Sequence, residues 1–173
     1  MLRWFVTGAG GQLATAFEKT LKGEVFLSRE AALDIRDADA VHAAVHGFAP
    51  DVILHTAAFT DVDGAETHPA LAEAINVEGT RSVIKAVRGT HTTVVYFSSD
   101  YVFDGAKGSP YVESDPTNPL GVYGRVERIR VADVERGLPA EKHLALEGPG
   151  EGRSQLATGA RDKPAQHRFA GCA

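Results

Sequence analysis

Apolar residues gather in four short runs, with polar stretches of helical spacing between them. Leu2–Thr7 is the first run and predicts a buried strand; Gln12–Lys22 then predicts a helix with Leu13, Ala16, Phe17 and Leu21 on one face. Glu24–Ser28 predicts a second strand, "LDIRD" (Leu33–Asp37) a short junction, and Asp37–Gly47 a helix. Past Pro50, "DVILHTAA" is almost continuously apolar, as a strand buried on both faces should be. His68–Val87 predicts a long helix, with Pro69 in its first turn and Gly89 ending it. "TTVVYFSS" (Thr92–Ser99) is β-branched and aromatic, a further strand. Strands alternating with helices of this length imply βαβ units, right-handed crossovers and a parallel sheet. Asp104–Gly121 is rich in Gly, Pro, Asp and Ser and predicts a long loop, functional or mobile by its length.

Composition changes this picture mainly after residue 123. The chain has 173 residues and a net charge of -5, with 43% hydrophobic residues, enough for one domain with a real core. Residues 1–123 carry 16 of the 23 acids but only 9 of the 18 bases, and 12 of the 13 aromatics. Val, Ile, Leu and Phe supply only nine of the last 50 residues, too few for that segment to build a core of its own. The expected division is an ordered domain over 1–137 and an atypical tail over 138–173 that need not fold. The acidic balance argues against a nucleic-acid surface. One cysteine, Cys172, builds neither a disulfide frame nor a metal cluster. With no membrane-length apolar run and no leader-like start, a cytoplasmic protein is the expectation.

The chemistry begins at "FVTGAGGQLATAF". Gly8, Gly11 and Ala14 form G-x-x-G-x-x-A between the first strand and the first helix. Glycine permits the tight turn and lets a diphosphate approach the backbone, and the helix start offers free N–H groups to the anion. This position in a βαβ series points to a dinucleotide and a Rossmann-type, doubly wound α/β fold. Where an acid would hold the ribose hydroxyls of NAD, the second strand ends in Ser28 and Arg29, with Glu30 next. Arg29 leans the cofactor toward NADPH, or toward use of both NADPH and NADH. "LDIRD", "HTAAFTDVDGAE" and "SSDYVFDG" are expected after the third, fourth and fifth strands, lining one crevice. Ala57 and Ala58 would let a flat cofactor lie close, and Ser98, Ser99 and Asp100 would present hydroxyls and a carboxylate.

The set "TGAGGQLA", "LDIRD", "PDVILHTAAFTDVDGAE", "INVEGT", "SSDYVFDG" and "YVESDPTNPLGVYG" resembles the dTDP-4-dehydrorhamnose reductase family of extended short-chain dehydrogenase/reductases, in family order from residue 1 to about 125. The resemblance implies that Gly8, Gly11, Gln12 and Leu13 cradle the pyrophosphate and that Asp34 and Ile35 flank the adenine. It implies that Ala57, Ala58 and Thr60 line the ribose and nicotinamide side. Ser99, Asp100 and Tyr123 become the catalytic residues, with Asp100 contacting the sugar. The implied reaction reduces the 4-keto group of dTDP-4-dehydro-L-rhamnose with hydride from NADPH or NADH. A homodimer is implied as possible; nucleic acid and membrane are not.

One departure is chemical. A phenol near pKa 10 needs a nearby cation to exchange protons at neutral pH, and the family sets a lysine four residues after its tyrosine. Here that residue is Glu127, while Arg125 and Arg128 fall at spacings that point elsewhere on a helix. Beyond Gly124 the family's substrate lobe is not recognisable, and the tail has the texture of an out-of-frame reading. The expectation is therefore a reductase truncated or frame-shifted after about residue 125, its lobe missing or incomplete. Val126, Ile129 and Val134 still permit one helix there. Two alternatives stay open: a non-catalytic NAD(P)-binding regulatory subunit, and a related sugar-nucleotide epimerase or dehydratase. His42 and His46 have metal-ligand spacing without a third ligand. Ser98, Asp100 and His55 could suggest a hydrolase triad, but the elbow glycines of such enzymes are absent.

Overall fold

The computed structural model describes residues 1–112, 114–138 and 143–147. Its sheet has five parallel strands: β1 (Arg3–Thr7), β2 (Glu24–Ser28), β3 (Val52–His55), β4 (Thr93–Ser98) and β5 (His143–Glu147), in the order β2-β1-β3-β4-β5. This is the doubly wound arrangement expected. The strand order reverses at β1, so the connections leaving β1 and β3 run to opposite sides of the sheet and open a crevice at its carboxyl edge, the place where such sheets bind ligands. Thr7 and His55 face one another in the register at that end.

Residues alternate along β1 between two layers. Phe5 joins Ile53, Val94 and Tyr96 under α2 (Ala38–Phe48), α5 (Gly79–Val87) and the far end of α6 (Val122–Gly137). Val6 joins Leu54 and Ala14 on the other face, under α1 (Gln12–Glu18). The long helix expected over 68–87 is present as α4 (Pro69–Glu73), a π turn over Ala74–Glu78, and α5. Gly79 is bare because Ile35 lies over it: an added Cβ would sit 2.5 Å from Ile35 Cδ1. Short α3 (Val62–Thr67) is capped by Asp61, whose carboxylate accepts the Gly64 N–H at 2.8 Å. No helix among the described residues is long and apolar enough to cross a membrane.

Four expectations change. Helix α1 ends at Glu18 rather than Lys22, and Ala14, Phe17 and Leu21 face the sheet while Leu13 and Ala16 are exposed. The i, i+3, i+7 spacing of the first three picks out the covered stripe, and Leu13 sits in the turn that starts at the strand end. No strand intervenes between β2 and α2, so the three crevice segments follow the second, third and fourth strands. The boundary at 137 is too early, because His143–Glu147 pairs with β4 as β5. The long loop is tied at Asp104, whose carboxylate accepts from Asn118 Nδ2, the Ala106 N–H and Tyr111 Oη, which hold it down to about 2. The remainder of the predicted tail, 148–173 with Cys172, lies outside the described residues, as does Pro139.

Candidate functional site

The glycine turn is built by close approach. Gly8 has φ +69, and a Cβ there would stand 2.7 Å from Ala57 Cα and 2.8 Å from Ala57 N. The first loop is thus pressed onto the loop after β3, which no side chain would permit. Gly11 N–H returns to Gly8 O at 3.0 Å, and the Ala9 N–H binds Ser28 O at 2.8 Å. No side chain caps α1, so its first-turn N–H groups face outward without an intrahelical partner. Gln12 and Leu13, both exposed, stand in that turn. Arg29 leans over Gly10, its Nη1 3.0 Å from where a Cβ would be. Bare backbone, free amides and one guanidinium form a donor set suited to a phosphate-bearing ligand.

Beneath the turn, neutral groups lock β1 to β3. Thr7 Oγ1 accepts the Ala57 N–H at 3.1 Å and shares a hydrogen bond with His55 Nδ1 at 2.8 Å. The other ring nitrogen of His55 meets Thr80 Oγ1 at 2.9 Å, and Thr56 Oγ1 donates to Thr7 O at 2.5 Å. His55 is fully enclosed; burial first, and Arg130 second, hold its pKa well below the usual imidazole value. It is a neutral strut, not a member of a Ser98–Asp100–His55 triad. Ala57 and Ala58 are half-buried and Thr60 is exposed on the same loop.

At the end of β4, the Ser99 hydroxyl accepts the Tyr101 N–H at 3.1 Å and faces the Tyr123 phenol. Tyr101 stands edge-on to Tyr123 with centroids 5.5 Å apart. Asp100 is exposed beside them. The Tyr123 phenol is pushed up to about 12, by burial first and by Glu127 second, against smaller pulls from Arg130 and Ser99. The chain therefore keeps this phenol protonated, a state from which it can donate. Gly124 lets α6 come this near: a Cβ there would meet Tyr101 O at 2.1 Å.

Glu127 lies inward, accepting from Asn76 Nδ2 at 2.9 Å and from Arg130 Nη1 at 3.1 and 3.2 Å. Asn76 also brackets the backbone of Phe59, accepting its N–H at 2.6 Å and donating to its carbonyl at 3.0 Å. Sequence reasoning passed over Asn76, Arg130, Thr7 and the strut role of His55. For Arg130 the signal was present: three residues after Glu127 and seven after Tyr123 puts it on their face of the helix. Arg125 and Arg128 are exposed, as their spacing implied. Asp34 is engaged by Arg36 through a fork of hydrogen bonds that lowers its pKa, and Ile35 is turned inward onto Gly79. His42 and His46 stack at 4.0 Å, with His46 Nε2 3.0 Å from Ala86 O, and no cluster of three metal-ligating side chains exists among the described residues.

Comparison with known proteins adds relatives to this geometry. Residues 2–130 match the family described as the RmlD substrate binding domain. A dTDP-4-dehydrorhamnose reductase of Streptomyces griseus is 41% identical over 140 residues, covering 79% of this chain and 46% of that protein. Among solved structures, a dTDP-4-dehydrorhamnose reductase from Bacillus anthracis in complex with NADP superposes with a TM-score of 0.81 at 31% identity, covering 84% of this chain and 52% of that one. A UDP-glucose 4-epimerase from Brucella ovis in complex with NAD reaches a TM-score of 0.73 at 25% identity, covering 85% of this chain and 51% of that one. The chain spans about half the length of the curated relatives it matches.

Proposed function

The chain belongs to the RmlD substrate-binding-domain family, and on that premise we propose that it binds NADPH or NADH and serves the reduction of the 4-keto group of dTDP-4-dehydro-L-rhamnose to dTDP-L-rhamnose. The observation that carries this reading is the glycine turn, where Gly8 is pressed onto Ala57 beneath Arg29 and an uncapped helix start. A solved relative of the same reductase class binds NADP. In this reading Gly8, Gly11, Gln12 and Leu13 hold the diphosphate, Arg29 favours a 2′-phosphate, and Asp34 and Ile35 border the adenine. Ala57, Ala58 and Thr60 line the nicotinamide side. A bound reduced nicotinamide would supply hydride.

The chain's own residues then manage the proton and the charge. Tyr123 holds a proton at its Oη, Ser99 orients that oxygen, and Asp100 meets the sugar. As an oxyanion develops on the substrate, the Tyr123 proton moves to it, and a nearby donor limits the cost of the charge. Glu127 raises that cost, and this favours a second reading, a chain that binds the nucleotide without turnover. Fluorescence titration with NADPH, run beside NADPH oxidation in the presence of dTDP-4-dehydrorhamnose, separates them. Binding with turnover supports the reductase, binding alone supports the second reading, and no binding removes both. The family resemblance also supports a homodimer, which light scattering on the purified chain checks.

A further inference from the structure

The buried charge on α6 is arranged in a way that the reductase reading does not use. Arg130 is 2% exposed and Glu127 is 1% exposed. Burying two charges is costly unless each is well paired, yet this guanidinium is only partly paired. Nη1 is taken by Glu127, Nη2 reaches His55 O at 3.5 Å, and Nε–H makes no hydrogen bond. Tyr123, Glu127 and Arg130 occupy one stripe of α6 at i, i+4 and i+7. The Nη2 end of Arg130 thus stands at the carboxyl end of β3, where the loop Ala57–Thr60 begins.

We propose that Arg130 is the positioning cation of this site, standing in one helical turn later for the lysine expected at 127, with Glu127 holding it and Asn76 coupling it to the loop after β3. The inference rests on Tyr123 being the proton donor. When the phenolic O–H breaks and a substrate O–H forms, Tyr123 is left as a phenolate. The Arg130 charge favours that anion and stays protonated throughout. Glu127 opposes the anion more strongly than Arg130 favours it, but it fixes the guanidinium, so Arg130 offsets part of the cost that Glu127 imposes. The groups facing the phenol are Glu127 and Arg130 of α6 together with Ser99 and Tyr101 beyond β4. From α3, the Glu66 carboxylate binds the Val122 N–H at the start of α6.

A ring-fluorinated tyrosine at position 123 brings the ionisation into an accessible pH range, where its ¹⁹F shift reports it without turnover. Arg130→Gln should raise the ionisation pH by about one unit, and Arg130→Lys should return most of that. Glu127→Gln should lower it by a similar amount. If Arg130→Gln does not fold, the double variant Glu127→Gln/Arg130→Gln leaves no lone buried charge and gives the same comparison against Glu127→Gln. An ionisation pH that stays constant across the set makes the pair purely structural and overturns the proposal. NADPH titration of the unaltered chain is read separately: its failure removes the reductase reading and leaves the ¹⁹F shifts to judge Arg130.

Discussion

Where β1 meets β3, the site is joined by neutral groups; where α6 meets β3, it is joined by charges. On the first side Thr7, His55 and Thr80 form a chain in which each side-chain oxygen and ring nitrogen has a partner. On the second, Arg130 and Glu127 share one contact region, and the Nε–H of Arg130 is left over. A satisfied neutral network has a small net energy and loses little when conditions change. A buried ion pair gains little as a pair, but its partners become expensive when separated. The crevice floor is thus rigid by satisfaction, and the tyrosine side is rigid by mutual dependence.

The comparison breaks first at the ion pair. Arg130→Met leaves Glu127 as a lone buried charge and should cost about 3–5 kcal/mol, whereas Glu127→Gln with Arg130→Met should come within about 1 kcal/mol of the unaltered chain. Urea denaturation of the three proteins measures both numbers. Equal losses in the single and the double variant would mean that the helix tolerates the charge alone, and the contrast between the two sides would be lost.

The neutral side fails through sterics instead. Gly8→Ala forces φ +69 on an alanine and drives its Cβ into the Ala57 backbone at 2.7 Å, for a combined cost of about 3 kcal/mol. Gly89 has a similar φ of +77 with open space around it, so Gly89→Ala isolates the backbone term, about 1 kcal/mol. Denaturation midpoints give the difference, and NADPH titration of the Gly8 variant should show binding lost with it. A Gly8 variant no worse than the Gly89 one would remove the close approach as the reason for glycine.

How much of this was readable in the chain follows the same division. The sheet, the glycine turn and the helix over 68–87 were legible because periodicity and φ requirements are local properties of a sequence. The π turn was not: Ala72 of α4 packs with Val77 in one cluster and Val83 and Val87 of α5 in another, and the extra residue per turn between them leaves no mark in the apolar spacing. β5 was hidden because "HLALE" sits in a segment too poor in aliphatic residues to suggest a strand, and it is the edge of β4 that recruits it. Glu127 was legible as a departure from the resemblance. Its partner Arg130 was legible only as a position on the same helix face, because pairing at i+3 says nothing about burial until β3 and α5 close over the helix. His55 looked like chemistry in the sequence and is packing in the structure.

His55 sharpens the comparison through pH. Its imidazole is held neutral by burial, so its folded pKa lies below the unfolded value near 6.5. Below that value the unfolded chain takes up a proton that the folded chain refuses. Stability is therefore full above about pH 6.5 and falls as pH drops, by up to about 1.4 kcal/mol per pH unit from this one group. His55→Gln should be less stable at pH 7.5 and lose part of the slope. Urea midpoints from pH 7.5 to 5.0 test it: parallel curves for the two proteins would mean that His55 protonates in place and is no neutral strut.

The smallest effect expected lies at Arg29, a charge at the solvent edge of the neutral side. Its guanidinium is exposed above Gly10, where solvent and salt weaken it. Arg29→Ala should therefore weaken NADPH binding by only about fivefold and leave NADH nearly unchanged, because the two nucleotides differ in the 2′-phosphate alone. The difference should shrink as salt is raised from 50 to about 300 mM, since the interaction is screened over roughly 10 Å or less. Fluorescence titration with each nucleotide gives the ratio directly. Equal losses for both would put the guanidinium on the diphosphate that they share, and the cofactor preference would then have to be set elsewhere, with the next charged side chain along, Glu30, the first to exchange.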